Sequence, residues 1–341
     1  MAIPLFKPSI RRKDMDSVLT CMVNDSLGPG DENKQFVKML AEYSGVAGGI
    51  AFREPQRALR TALFALELEK DAQVILSPIS PGYYIDVLQG LGLQPHFVDV
   101  DPESGCFRVP DIEKHINAST GAILLHYPLG LVQNVEEICG LSLPVIEDVT
   151  QSIGSNTGEV MSGSRGRFTL VGTEPDNLIT TGGGTVLLAR NTRDLGKIRS
   201  LTTDFFQEIF LPDMNAALGK VQIKEIEKHI GARAEIAKVF SDAAAKSKHT
   251  LLRQQGDAEQ VWYSFPVVLQ SGMKNVKQYA AKKHVETGPA FSGTAYERFP
   301  DPETGCPEAK NLILRSILFP LYPSLGRKNT ETIAKVIATI P

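Results

Sequence analysis

The stretch Pro144-Val-Ile-Glu-Asp148-Val-Thr-Gln151-Ser-Ile-Gly154 carries the reading of the whole chain. Leu143–Ile146 is a short apolar run, as expected of a strand buried on both faces of a parallel sheet. Glu147 and Asp148 follow at once, and acids in that position end a buried strand at the carboxyl edge of such a sheet. Ligands of open α/β sheets collect at the same edge, so the location is a candidate site whichever role the two acids have.

Working outward, further short apolar segments lie at Gly49–Phe52, Gln73–Ser77, His96–Val100 and Ala122–His126, and they alternate with the helical patterns Ala58–Leu68 and Tyr83–Leu91. Arg167–Gly172 and Gly184–Ala189 are two more strand candidates around a Thr- and Gly-rich loop, with a helix predicted over Thr192–Leu201. The βαβ rhythm predicts a three-layer α/β fold: a mostly parallel sheet of about seven strands with helices on both faces. Met214–Lys246 is helical in pattern, with Leu218, Val221, Ile223, Ile226 and Ile230 as candidate buried positions. A strand at Val261–Leu269 and helices near Asn275–Lys283, Glu308–Ile317 and Thr330–Ile340 suit a smaller C-terminal α+β domain. We divide the chain into a large domain over 1–230 and a small one over 231–341, with the N-terminal segment able to pack on the small domain.

Composition narrows the partners. The 341 residues carry a formal charge of −3 with acids and bases intermixed, which leaves no basic footprint for nucleic acid or an anionic membrane. Cys21, Cys106, Cys139 and Cys306 are scattered, with neither a CxxC pair nor a histidine at metal-ligand spacing, so reduced thiols and no metal site are expected. Prolines interrupt Met1–Pro8 where a signal peptide needs an apolar run, and no 18-residue apolar stretch occurs. The expectation is a cytoplasmic protein acting on a small polar ligand.

Several stretches, in order from about residue 3 to 340, resemble the DegT/DnrJ/StrS sugar aminotransferase family. They are Ile3-Pro-Leu-Phe-Lys-Pro-Ser9, Gly30 with Phe36–Val46, Phe97-Val-Asp-Val-Asp-Pro102, Leu125-His-Tyr-Pro-Leu-Gly130, the Pro144–Gly154 stretch, and Gly305–Leu325. The resemblance implies the fold type I architecture of enzymes that use pyridoxal phosphate (PLP) and its amine form (PMP), and a homodimer with sites at the subunit interface. It places Asp148 under the cofactor ring, where a carboxylate keeps the pyridine nitrogen protonated so that the ring accepts electrons. It puts Gln151 near the ring hydroxyl, and Thr169 where the family often has a phosphate-contacting serine. Gln56 and Arg57 fall at the phosphate end, and Tyr83 or Tyr84 is a candidate aromatic lid.

The chain departs from the family pattern at three places around that one cofactor. The Schiff-base lysine precedes a run like Asn-Leu-Thr-Thr-Gly-Glu-Gly-Gly in the family. Here Glu174, Asp176 or Asn177 takes its place, and no lysine occurs between Lys114 and Lys197. Neither a carboxylate nor an amide can form the internal imine. Glu174 or Asp176 is a candidate general base beside a noncovalently held cofactor. Arg53-Glu-Pro-Gln-Arg-Ala-Leu59 replaces the Ser-Ser-Gly-Thr helix start that holds phosphate, so Pro55 removes an amide donor and Glu54 adds a repelling charge. Glu208–Gly219 lacks the family's Asn-Tyr-Arg-Met element.

Three readings follow. The first is a homologue without standard PLP transamination, noncatalytic or ligand-binding, linked to sugar-nucleotide or cell-surface polysaccharide metabolism. The second is a dehydratase-like enzyme with noncovalent PLP or PMP, and the third a sugar aminotransferase acting with a lysine-bearing partner. The cofactor expectation is therefore PLP or PMP held noncovalently, or none.

Overall fold

The computed structural model describes residues 2–254, 256–299 and 305–341. Among them, seven strands form the central sheet: β1 Gly48–Phe52, β2 Gln73–Leu76, β3 Gln94–Phe97, β4 Thr120–His126, β5 Val145–Asp148, β6 Phe168–Gly172 and β7 Thr185–Ala189. Their order is β1-β7-β6-β5-β4-β2-β3, and β7 alone runs antiparallel, against both of its neighbours. β2, β4, β5 and β6 carry buried runs of Val, Ile and Leu, as a sheet covered on both faces requires, whereas the edge strand β3 (Gln-Pro-His-Phe) buries only Phe97. The mostly parallel α/β architecture expected from the sequence is the one observed.

The crossover helices lie where the apolar periodicity placed them. The Pro55–Leu66 helix begins with proline at its first turn, where the missing N–H has no intrahelical partner to lose, and it ends at Glu67 in the left-handed conformation. It buries Ala58, Leu59, Ala62, Leu63, Ala65 and Leu66 against the sheet. The region expected to be helical over Met214–Lys246 forms two helices, Asp213–Lys224 and Ile226–Ala244, meeting at Glu225. Of its candidate core residues, Ile223 and Ile226 are buried, whereas Leu218, Val221 and Ile230 are half-buried. The close contact is made instead by small residues: a Cβ on Gly219 would stand 2.6 Å from the Phe36 ring of the Asp31–Ser44 helix.

A second apolar cluster gathers Ile3 and residues from Ala237 to Ile340. Its sheet is the antiparallel trio Phe265–Val268, Ser316–Phe319 and Gly288–Pro289, covered by the Ile226–Ala244, Met273–Lys282 and Arg327–Thr339 helices. Two later stretches of chain make close contacts with loops at the carboxyl edge of the central sheet. Gly130 has φ +92°, and a Cβ there would fall 1.7 Å from the Val261 carbonyl oxygen, so this crossing requires glycine. The segment Gly293–Tyr296 lies along Pro78–Gly82 through backbone bonds from Gly82 N to Gly293 O (2.7 Å), Ala295 N to Ser80 O (2.7 Å) and Tyr296 N to Pro78 O (3.0 Å).

Candidate functional site

Residues at the ends of β4, β5 and β6 converge as the sheet geometry dictates. Strand pleating sends Glu147 and Asp148 to opposite faces. Asp148 is level with His126 on β4 and Leu170 on β6, while Glu147 is level with Thr169. Asp148 is 2% exposed, and each of its oxygens has a donor: the Thr150 N–H reaches Oδ1 at 3.0 Å, and the Tyr84 hydroxyl donates to Oδ2. Tyr84 comes from the Tyr83–Gly90 helix and is fully buried, and burial followed by the Asp148 charge pushes its hydroxyl well above the usual phenol range. Tyr83 is half-buried and meets Tyr84 edge to face, with ring centroids 4.9 Å apart. His126 is buried beside the pair, its Nδ1 makes no hydrogen bond, and burial holds its pKa below the usual histidine range against the pull of Asp148.

The turn after β5 ties this edge together. Thr150 Oγ1 accepts from Gly172 N at 2.8 Å, joining the ends of β5 and β6. Gln151 uses Oε1 to accept from Leu129 N at 2.8 Å, which fixes the Leu129 turn in its left-handed conformation (φ +55°). Asp148, Gln151 and the two tyrosines are therefore brought to one edge.

Thr169 is not brought there. It lies on the Glu147 face, and its hydroxyl donates to Gly163 O at 2.7 Å. The three residues at the lysine's place diverge. Glu174 is exposed, with Oε1 accepting from Gly184 N at 3.3 Å. Asp176 accepts from the Tyr263 hydroxyl at 3.2 Å. Asn177 alone turns toward the β5–β6 edge: its Nδ2 would stand 3.2 Å from a Cβ on Gly172. At the other end of the edge, Arg53, Gln56 and Arg57 are exposed, Pro55 has no N–H, and the Arg57 N–H bonds back to Glu54 O at 3.2 Å.

Glu147 is a feature that sequence reading treated only as a strand end. It is fully buried and accepts from the Tyr127 hydroxyl (2.5 Å), Gly163 N (2.8 Å), Arg165 N (3.0 Å) and Gly166 N. Burial raises its pKa and these four donors oppose the rise. The carboxylate closes the Gly163–Gly166 loop over the back of the sheet, a role without a local sequence signal because three of its donors are backbone amides.

A sequence model of the DegT/DnrJ/EryC1/StrS aminotransferase family matches residues 8–340. The chain belongs to this family. Among curated DegT/DnrJ relatives, GDP-perosamine synthase of Escherichia coli O157:H7 is 24% identical over 98% of this chain and 97% of its own length. GDP-4-keto-6-deoxy-D-mannose 3-dehydratase of Yersinia pseudotuberculosis is 23% identical over 84% and 82%. Among solved structures, the aminotransferase TlmJ of Streptoalloteichus hindustanus superposes with a TM-score of 0.92 at 19% identity, covering 99% of this chain and 98% of that one. Spr1654 of Streptococcus pneumoniae in its PMP form does so with a TM-score of 0.91 at 17% identity, covering 100% and 98%.

The DegT/DnrJ family is PLP-dependent, so the residues can be tested against that cofactor. They do not fit it as a family enzyme would hold it. No lysine occurs between Lys114 and Lys197, where the resemblance puts the imine-forming amine, and at the helix start where it puts the phosphate Pro55 has no N–H and the Arg57 N–H is engaged by Glu54 O. Asp148, which the resemblance puts under the ring, is covered by the chain's own Tyr84.

Proposed function

We propose that this chain keeps the sugar-aminotransferase fold without lysine-dependent PLP transamination, and acts as a ligand-binding homologue in nucleotide-sugar or cell-surface polysaccharide metabolism. The observation that carries the reading is the lysine-free stretch between Lys114 and Lys197, which includes the Glu174–Asn177 positions where the resemblance puts the family's Schiff-base lysine. An imine needs a primary amine, and Glu174, Asp176 and Asn177 offer none. The relatives named for GDP-linked sugars support a nucleotide sugar as the ligand class. The exposed Arg53 and Arg57 supply guanidinium forks suited to a diphosphate.

The chain is further proposed to work as a homodimer. The first helix, Arg12–Val23, leaves Met15, Leu19, Met22 and Val23 exposed on neighbouring turns, an apolar stripe of the kind a second copy would cover.

The test is a thermal-shift and calorimetric panel of GDP-, UDP- and dTDP-sugars on the purified chain, paired with an assay for amino-sugar formation from the matching keto sugars, glutamate and PLP. The reading expects saturable binding of a nucleotide sugar and no amine transfer. Turnover by the chain alone would overturn it.

A further inference from the structure

We propose that the chain supplies its own occupant for the ring-nitrogen position: the Tyr84 phenol is the standing partner of Asp148, and it excludes PLP and PMP from the cleft. The inference rests on the family reading of Asp148 as the cofactor's aspartate. It goes beyond the missing lysine because it concerns noncovalent binding as well.

Four observations converge. Protein atoms alone cover Asp148 to 2% exposure, so its carboxylate faces the chain and not an open slot. One oxygen accepts from Thr150 N and the other from Tyr84, which is itself fully buried. Tyr83 braces Tyr84 edge to face at 4.9 Å, filling the space beside the phenol. The segment leading into these tyrosines, Pro78–Gly82, is fastened by three backbone hydrogen bonds to Gly293–Tyr296 from the small-domain side. A Cβ on Gly82 would meet Gly293 O at 2.6 Å, so the two strands of chain are in direct contact with no gap between them.

The chemistry of the pair agrees with its geometry. A pyridine ring held by an aspartate needs a charge-assisted N–H donor on the carboxylate. A buried phenol gives the same oxygen a charge-assisted O–H donor without recruiting a ligand. Displacing it would leave the Tyr84 hydroxyl without its partner in a site that water does not reach, which is costly. The aromatic lid suggested by the sequence is thus a plug, and of the two tyrosines it is Tyr84 that reaches Asp148.

PMP is the probe of choice because it carries no aldehyde, so its binding does not depend on a lysine. Equilibrium dialysis and near-ultraviolet titration would compare wild type with Tyr84→Phe, Tyr84→Ala and Tyr84→Thr. The proposal expects no saturable uptake by wild type or Tyr84→Phe, which keeps the ring. Saturable uptake of one PMP per chain is expected once the ring is removed in Ala or Thr, with at least about tenfold more PMP bound than by wild type at the same concentration. The threonine variant keeps a hydroxyl for Asp148 and serves if the alanine variant does not fold. Saturable one-to-one binding by wild type, weakened by Asp148→Asn, would overturn the plug, as would folded ring-less variants that still take up no PMP. Neither result would restore imine chemistry, so both are distinguishable from a failure of the functional reading, which would appear as amine transfer.

Discussion

Glu147 and Asp148 are adjacent acids with opposite surroundings, and pleating alone separates them. Glu147 is held by one hydroxyl and three amides, so Glu147→Gln would turn an NH2 group toward N–H donors. A loss of about 2–3 kcal/mol is expected, measured by urea denaturation at neutral pH. His126 makes a second case. Its folded pKa lies below the unfolded value because burial penalises the imidazolium, so the unfolded chain binds the proton more readily. Its contribution to stability is therefore complete above about pH 6.5 and is lost as pH falls toward the folded pKa. Denaturation midpoints should decline from pH 7.5 to 5.5, and His126→Gln should flatten the decline by up to about 1.4 kcal/mol per pH unit. An unchanged slope would show that His126 is not among the groups responsible. At this scale the sequence pointed to some of the residues that gather at the edge but not to what they bond to. Asp148 and Gln151 were legible from the strand and turn that carry them. The Tyr84 bond spans 64 positions, and Thr169 fell to the wrong face because a one-residue step in a strand reverses the side chain.

The elements were more legible because periodicity is a local property. All seven central strands and the helices after β1, β2 and β7 lie within a few residues of their sequence-based positions. The helix break at Glu225 was not legible, since no proline or glycine marks it. The start of the Asp31–Ser44 helix is a long-range construction as well. Its N-cap is Gly30, without a side chain, and Asp213 from 183 positions away accepts from Gly30 N (2.8 Å), Glu32 N (3.3 Å) and Asn33 N (2.9 Å). Asp213→Ala should cost about 1–2 kcal/mol, and Asp213→Asn should cost less because it keeps an acceptor. Equal losses in the two variants, read by thermal denaturation, would show that the side chain's packing and not its capping matters. Gly130→Ala should fail to fold or unfold well below the wild type, since its methyl group would overlap Val261 O. Wild-type stability of that variant would mean the crossing is looser than described.

At the scale of the molecule, the family and the three-layer architecture follow from the chain as a whole, while the function turns on what a small number of positions lack. The exposed stripe on the Arg12–Val23 helix predicts a dimer in solution. Leu19→Glu combined with Val23→Glu should shift light-scattering mass from dimer to monomer with little change in secondary structure, because neither side chain is buried within the chain. The stripe was not read from the sequence, since apolar spacing alone does not separate a face turned to a core from one turned to a partner. The central claim, that no imine forms between this chain and PLP, is tested most directly by incubating wild-type protein with PLP, reducing with borohydride and mapping the peptides by mass spectrometry. The account predicts no stoichiometric pyridoxyl adduct, and none in the Thr173–Gly184 loop. A single stoichiometric adduct on one lysine, abolished by Asp148→Asn, would contradict it and return the chain to the working aminotransferases.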